Sequence, residues 1–189
     1  MPKVKANSVR VGNAIEHRDK LWRVVKIQHT MPGKGGAFNQ MELKELKTGT
    51  KLNERFRATE DIEVVRLEQT QYQFLFKDDN NMTLMHPETF EQVELPLDVL
   101  GDLAVYLQDG MMIDVETYEE QLIGAVLPEQ VTLEIVDTEG VVKGQTAASS
   151  NKPAILDNGV RVMVPPFLKT GDRVIVRTED SQYIERAKD

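Results

Sequence analysis

An all-β protein built from three small barrels of about 60 residues each is the fold the sequence predicts. Three observations point there. Short runs rich in Val, Ile and Thr are separated by turns marked by twelve glycines and eight prolines, which favours strands and tight turns over long helices. A glycine-strand-turn-strand pattern recurs 61 residues apart near the end of the chain. Charge also changes in blocks of similar length. Residues 1–61 carry 13 Lys+Arg against 7 Asp+Glu, residues 62–127 carry 2 against 14, and residues 128–189 carry 8 against 10, giving +6, −12 and −2 within a chain total of −8. The expected domains are therefore 1–62, 63–127 and 128–189. Units this small bury little apolar surface, so contacts between at least the first two are expected to help hold them.

In the first third, Leu21 to Ile27 forms an apolar, β-branched run after the polar turn His17-Arg18-Asp19-Lys20. Phe38 to Leu46 and Lys51 to Phe56 give two further strands around a Thr48-Gly49 turn. About five strands in some 60 residues describe a small barrel. The second third opens with Ile62 to Leu67 and Gln71 to Phe76, followed by the turn Asp78-Asp79-Asn80-Asn81 and a strand from Met82 to His86. Between Pro96 and Gln108, Leu97, Leu100, Leu103, Ala104 and Leu107 recur at three- and four-residue spacing. That spacing predicts one short helix, with Asp98 helping to cap it, packed across a five-stranded OB-type barrel.

The repeat lies across the last two thirds. Gly110, Ile113, Val115 and Thr117 are echoed by Gly171, Val174, Val176 and Thr178, and Gln121 and Ile123 align with Gln182 and Ile184. A weaker copy starts at Gly12 and runs through Ile15, Leu21 and Val24. Self-similarity at this period argues for reuse of one supersecondary unit.

Composition narrows the function. With 40% apolar and 29% charged residues the chain is expected to fold and be soluble. There is no cysteine, which removes disulfides, thiolate metal sites and cysteine nucleophiles together. The first residues lack the apolar run of a secretory signal, and no stretch approaches the roughly 20 apolar residues of a membrane span, so a cytoplasmic protein without membrane contact is expected. His17, His29 and His86 have no metal-ligand spacing, and Glu119-Glu120 reads as a solvated turn. No nucleophile elbow, P-loop or dinucleotide fingerprint is present. No catalytic set, metal or cofactor is expected. The basic first third can follow a phosphate backbone while the acidic middle is held away from it or faces something cationic.

One segment stands apart. His29-Thr30-Met31-Pro32-Gly33-Lys34-Gly35-Gly36-Ala37-Phe38 places a long cation between a proline and three glycines, with strands on both sides. Proline fixes the entry to the turn, and glycines permit positive φ while leaving the tip bare. With arms from Gln28 to Lys34 and back to Gln40, about five extended residues per arm reach roughly 15 Å beyond the barrel. By itself such a loop reads more readily as a flexible hairpin whose lysine keeps it soluble.

Pro32-Gly33-Lys34-Gly35 with Ala37-Phe38 resembles the loop of bacterial elongation factor P. The C-terminal likeness is more specific: Lys152-Pro153-Ala154, Gly159, Val162, Val164-Pro165, Leu168 and Gly171 reproduce that family's pattern without a gap. Leu133 to Thr138 and His86 to Gln92 look like family segments too, so the resemblance spans essentially the whole chain. It implies an SH3-like, KOW-type first domain and two OB-folds arranged in an L that resembles tRNA. It implies a monomeric, non-enzymatic factor that binds the ribosome between the P and E sites, contacts P-site peptidyl-tRNA and relieves stalling at consecutive prolines. Lys34 matches the lysine that many members carry post-translationally extended by a modifying enzyme, with Pro32, Gly33, Gly35 and Gly36 as its support. Tyr183 and Arg186 fall where members contact tRNA. Members also present a Gly-Asp-Thr loop near the E-site codon, where this chain reads Gly144-Gln145-Thr146; the missing carboxylate puts that role in doubt. Two other readings remain: a generic OB-fold binder of single-stranded nucleic acid, disfavoured by 6% aromatics and the acidic middle, and an enzyme with a lysine nucleophile, for which no base is visible.

Overall fold

Period-two burial organises every sheet, and it is cleanest in the strand from Phe38 to Glu45, where Asn39, Met41, Leu43 and Glu45 turn inward and their neighbours face out. The computed structural model describes residues 2–140 and 150–188. It divides into two units, Met1–Gly101 with Ile113–Val126 and Asp102–Met112 with Leu127–Asp189.

The first unit begins with a six-stranded antiparallel sheet. Its strands are β1 (Lys3–Lys5), β2 (Ala14–His17), β3 (Lys20–Thr30), β4 (Phe38–Glu45), β5 (Lys51–Arg57) and β6 (Asp61–Val65), in the order β1-β6-β2-β3-β4-β5. The short β1, pairing Lys3–Lys5 with Asp61–Glu63, makes one strand more than the apolar runs suggested. Three residues give too little periodicity to read. The tight turn between β2 and β3 puts Arg18 and Asp19 at φ +53° and +58°, the twist that suits a two-residue hairpin. A register shift between Val24 and Lys26 bulges the long β3 and lets it bend. The sheet curls around Val9, Ile15, Trp22, Val24, Met41, Leu43, Phe56 and Ile62. Its ends are tied by Ala6 N–H to Glu60 C=O at 2.8 Å and by the buried Asn39 amide, which donates to Ala6 C=O at 2.9 Å.

The second sheet comprises β7 (Glu68–Lys77), β8 (Asn81–Met85), β9 (Gln92–Pro96), β10 (Met112–Tyr118) and β11 (Gln121–Val126), ordered β11-β10-β7-β8-β9. The third comprises β12 (Gln130–Thr138), β13 (Lys152–Leu156), β14 (Arg161–Val164), β15 (Arg173–Arg177) and β16 (Gln182–Arg186), ordered β14-β13-β12-β15-β16. Counted from their own first strands, both sheets read third, second, first, fourth, fifth when each is followed from the appropriate edge. The repeat seen in the sequence falls on the fourth and fifth strands of each. Its glycines share one conformation: Gly12, Gly110 and Gly171 have φ of +91°, +79° and +95°, and each stands two residues before a strand, β2, β10 and β15. A side chain resists that backbone, which accounts for glycine at all three places.

The expected helix between Pro96 and Gln108 is not one α-helix. Leu97–Val99 and Gly101–Tyr106 are two 3-10 segments, with Leu100 N–H on Leu97 C=O and Leu107 N–H on Ala104 C=O. Leu100 separates them, Gly101 opens the second at φ +56°, and no side chain caps the start of the first, so Asp98 has no such role. Apolar spacing of three residues fits 3-10 geometry as well as an α-helix. Leu97 N–H donates to Asn80 C=O at 2.8 Å in the turn between β7 and β8, whereas side-chain contacts from the second segment and the residues after it reach the third sheet. Gln108 Nε2 donates to Thr132 C=O at 2.8 Å, Asn158 Nδ2 donates to Val105 C=O at 3.2 Å, and the buried Tyr106 hydroxyl meets that of Ser181. No helix among the described residues is long and apolar enough to cross a membrane.

Candidate functional site: the Lys34 hairpin

The hairpin that carries Lys34 grows from the most heavily paired part of the first sheet. β3 and β4 stay in register from His29↔Asn39 to Thr30↔Phe38, and β4 is held on its other edge by β5 down to Phe38↔Arg57. Ala58 N–H then donates to Ala37 C=O at 2.9 Å. Pairing therefore runs further out than the sequence suggested, and the unpaired tip shrinks to residues 31–37. A short loop on a three-stranded base is a rigid way to present one side chain.

Met31 to Gly36 are all exposed, Met31 by 85%. Of the glycines expected to supply positive φ, Gly35 does so, at +120°. A Cβ there would stand 3.9 Å from the Pro32 ring, whereas one on Gly33 or Gly36 would meet nothing within 4 Å. The last two keep the tip bare.

Lys34 is one of several cations left without an ion pair among the described residues. Lys5 pairs with Asp61, Arg18 with Glu54, Lys20 with Glu45, Lys51 with Glu42 and Arg23 with Glu116, while Lys34 enters no ion pair among the described residues. The Thr48 hydroxyl donates to Glu45 at 2.7 Å, and together with Lys20 it holds that carboxyl below its ordinary range. The Arg23 guanidinium reaches both oxygens of the buried Glu116, one at 2.6 Å, and its other nitrogen donates to Gly12 C=O at 3.2 Å. These residues join the first sheet, through β3, to β10 of the second.

Beside the root of the hairpin stands a group that sequence reasoning did not single out. The Arg55 guanidinium lies over the Phe38 ring, 3.3 Å from its centre, and Arg57 is the direct cross-strand partner of Phe38. A cation and an aromatic 17 residues apart carry no motif. Only the β4–β5 register brings them together.

The other expected site residues lie elsewhere. Tyr183 and Arg186 are on β16, in the second unit. Burial raises the Tyr183 phenol above its ordinary value, with a backbone hydrogen bond from Arg186 pulling the other way. Arg186 reaches the buried Asp172 at 3.3 Å, so its charge is already engaged. Gly144, Gln145 and Thr146 lie outside the described residues. Among the described residues no group of three or more His, Asp or Glu is placed to hold a metal ion.

Comparison with known proteins gives matches along nearly the full chain. The elongation factor P KOW-like domain matches residues 5–62, the elongation factor P OB domain residues 67–125, and the elongation factor P C-terminal domain residues 131–186. Elongation factor P of Ruegeria sp. (strain TM1040) is 56% identical over 187 residues, covering 99% of this chain and all of that one. That of Brucella canis is 57% identical over 185 residues, covering 98% of this chain and all of its own. A solved structure of translation initiation factor 5A from Methanococcus jannaschii has a TM-score of 0.52 at 20% identity, covering 67% of this chain and 92% of that one; it bears on the fold alone.

Proposed function

The chain belongs to the elongation factor P family of translation elongation factors, and on that premise we propose that it binds the ribosome between the P and E sites and acts through Lys34 on the peptidyl-tRNA end. The observation that carries this reading is the exposed lysine, without an ion pair among the described residues, at the end of a braced hairpin. Proline is a poor partner in peptide transfer, because its secondary amine and fixed ring restrict the attack geometry. A factor that holds the 3′ end of peptidyl-tRNA in place lowers the entropic part of the barrier without covalent chemistry. Lysine is well suited to this, since a flexible stem delivers three donors and a compact charge, and its amine accepts extension by a modifying enzyme, which lengthens the reach.

Around that tip the basic first sheet follows tRNA phosphates, which position the factor without reading sequence. Tyr183 and Arg186 offer a second contact, in which Arg186 shares its charge between Asp172 and a phosphate. The protein works in the cytoplasm and carries out no chemistry of its own. Lys34→Ala is expected to abolish relief of stalling on a Pro-Pro-Pro reporter message while leaving the fold intact. Full relief by that variant would remove Lys34 from the mechanism. Intact-mass measurement on protein from its own cells reads the modification directly.

A further inference from the structure

The strand β3 leads to Lys34 at one end and is gripped near the other. Arg23, close to its start, crosses to the second sheet and holds both carboxylate oxygens of Glu116 on β10 while also donating to Gly12 C=O. Two bonds from one guanidinium to one carboxylate fix direction as well as distance. Glu116 is buried, and the β10–β11 register breaks between Glu116 and Thr117, a bulge of the kind that re-aims a side chain. Carboxylates crowd this seam elsewhere. Glu16 and Glu63 are direct cross-strand neighbours in the first sheet, and after burial and Glu119 they help push the Tyr118 phenol of β10 above its ordinary value.

We propose that Arg23 and Glu116 are positioning residues for Lys34: the pair locks the second sheet to the lysine-bearing strand and so sets where the tip points. Removing one partner of a buried ion pair is costly, yet the intact pair adds little net stability over well-packed apolar side chains. What it supplies here is direction. The strand beyond it transmits that direction, because β3 is paired with β4 as far as Thr30↔Phe38, and β4 with β5 as far as Phe38↔Arg57. At about 3.3 Å per residue the arm from Arg23 to Thr30 is roughly 23 Å long, so a rotation of about 10° at the clamp swings its end by about 4 Å. A misplacement of about 1 Å is enough to slow a reaction that depends on placement. The importance of aim rests on the function proposed above; the locking of the two sheets does not.

The test uses the full-length protein. Because the chain has no cysteine, His29→Cys and Asp79→Cys, both at exposed positions, accept spin labels at two sites alone, one beside the hairpin tip and one in the turn between β7 and β8. Double electron–electron resonance then reads the spread of distances between them. Two changes release the clamp by different routes. Arg23→Lys keeps the charge but replaces the planar fork by a point contact. Arg23→Met combined with Glu116→Leu removes both charges and leaves no buried carboxylate unpaired. The urea midpoint of the double variant should stay close to that of the wild type. In both variants the distance distribution should broaden by about 4 Å, and maximal relief of stalling on a Pro-Pro-Pro reporter, at saturating factor, should fall about tenfold or more. A pair that served stability alone would move the midpoint and leave the distances unchanged.

An unchanged distance distribution in the double variant overturns the inference, whatever happens to relief. Broadened distances with wild-type relief overturn it too, when Lys34→Ala abolishes relief, since the aim of the tip would then not matter. Should the double variant fail to fold, Arg23→Lys, which leaves a cation beside Glu116, decides by the same two readings. Failure of the wider reading is separate: normal relief by Lys34→Ala would refute the lysine mechanism, and the distances alone would then decide the locking.

Discussion

Two hairpins treat their surface cations in opposite ways. At the tip between β3 and β4, Lys34 has no carboxylate partner among the described residues and its neighbours are bare glycines. In the hairpin between β15 and β16, Arg177 is bound to Asp180 at 2.9 Å and to Gln182 at 2.7 Å, and Arg186 reaches Asp172. Asp180 raises the Arg177 pKa, and Arg177 in turn lowers that of Asp180. The second hairpin therefore commits its charges to its own structure. The first leaves its charge available to something outside the chain. A cation that contributes nothing to folding can be changed, or chemically extended, without disturbing the scaffold.

The paired class should show its largest effect at Arg23. Arg23→Ala leaves the buried Glu116 carboxylate uncompensated; because about a third of Arg23 is exposed and screened, the loss should be about 2 kcal/mol, less than for a fully buried pair. Urea unfolding followed by the fluorescence of Trp22, the only tryptophan and a core residue of the same sheet, measures it. An unchanged midpoint would show that Glu116 finds another donor. Next comes Gly35→Ala, which forces a side chain to φ +120° and should cost about 1–2 kcal/mol. It should also lower stalling relief although Lys34 is still present, separating tip geometry from tip charge. Arg186→Ala should cost at most about 1 kcal/mol, since its partner is buried but it is itself mostly exposed. Smallest of all, Lys34→Ala should shift stability by less than about 0.5 kcal/mol in the same urea experiment. A large loss there would show that the lysine has a structural partner and would collapse the contrast between the hairpins.

Much of the scaffold was legible because strands advertise themselves. The runs from Leu21, Phe38 and Lys51 became β3, β4 and β5, and the repeated glycines at 12, 110 and 171 all proved to need left-handed backbone. The region after Pro96 was misread, because leucines three apart satisfy either helical period and Gly101 breaks the run. At the site, the Lys34 tip could be found from its proline and glycines. The Arg55–Phe38 pair beside it could not. Arg55 and Phe38 are ordinary residues in ordinary strands until the β4–β5 register stacks one on the other.

By itself the sequence determined the all-β class, the reused glycine-strand unit, the bare lysine tip and the family, since each is written in local spacing or in contiguous motifs. Only the tertiary structure decided which charges are engaged and which are free. Glu116 neutralises Arg23 across 93 positions of chain, and Glu54 claims Arg18 across a sheet, while no carboxylate forms an ion pair with the side chain of Lys34, Arg55 or Arg57 among the described residues. Electrostatic pairing depends on distance in space, and burial sets its strength, so neither can be read from order along the chain.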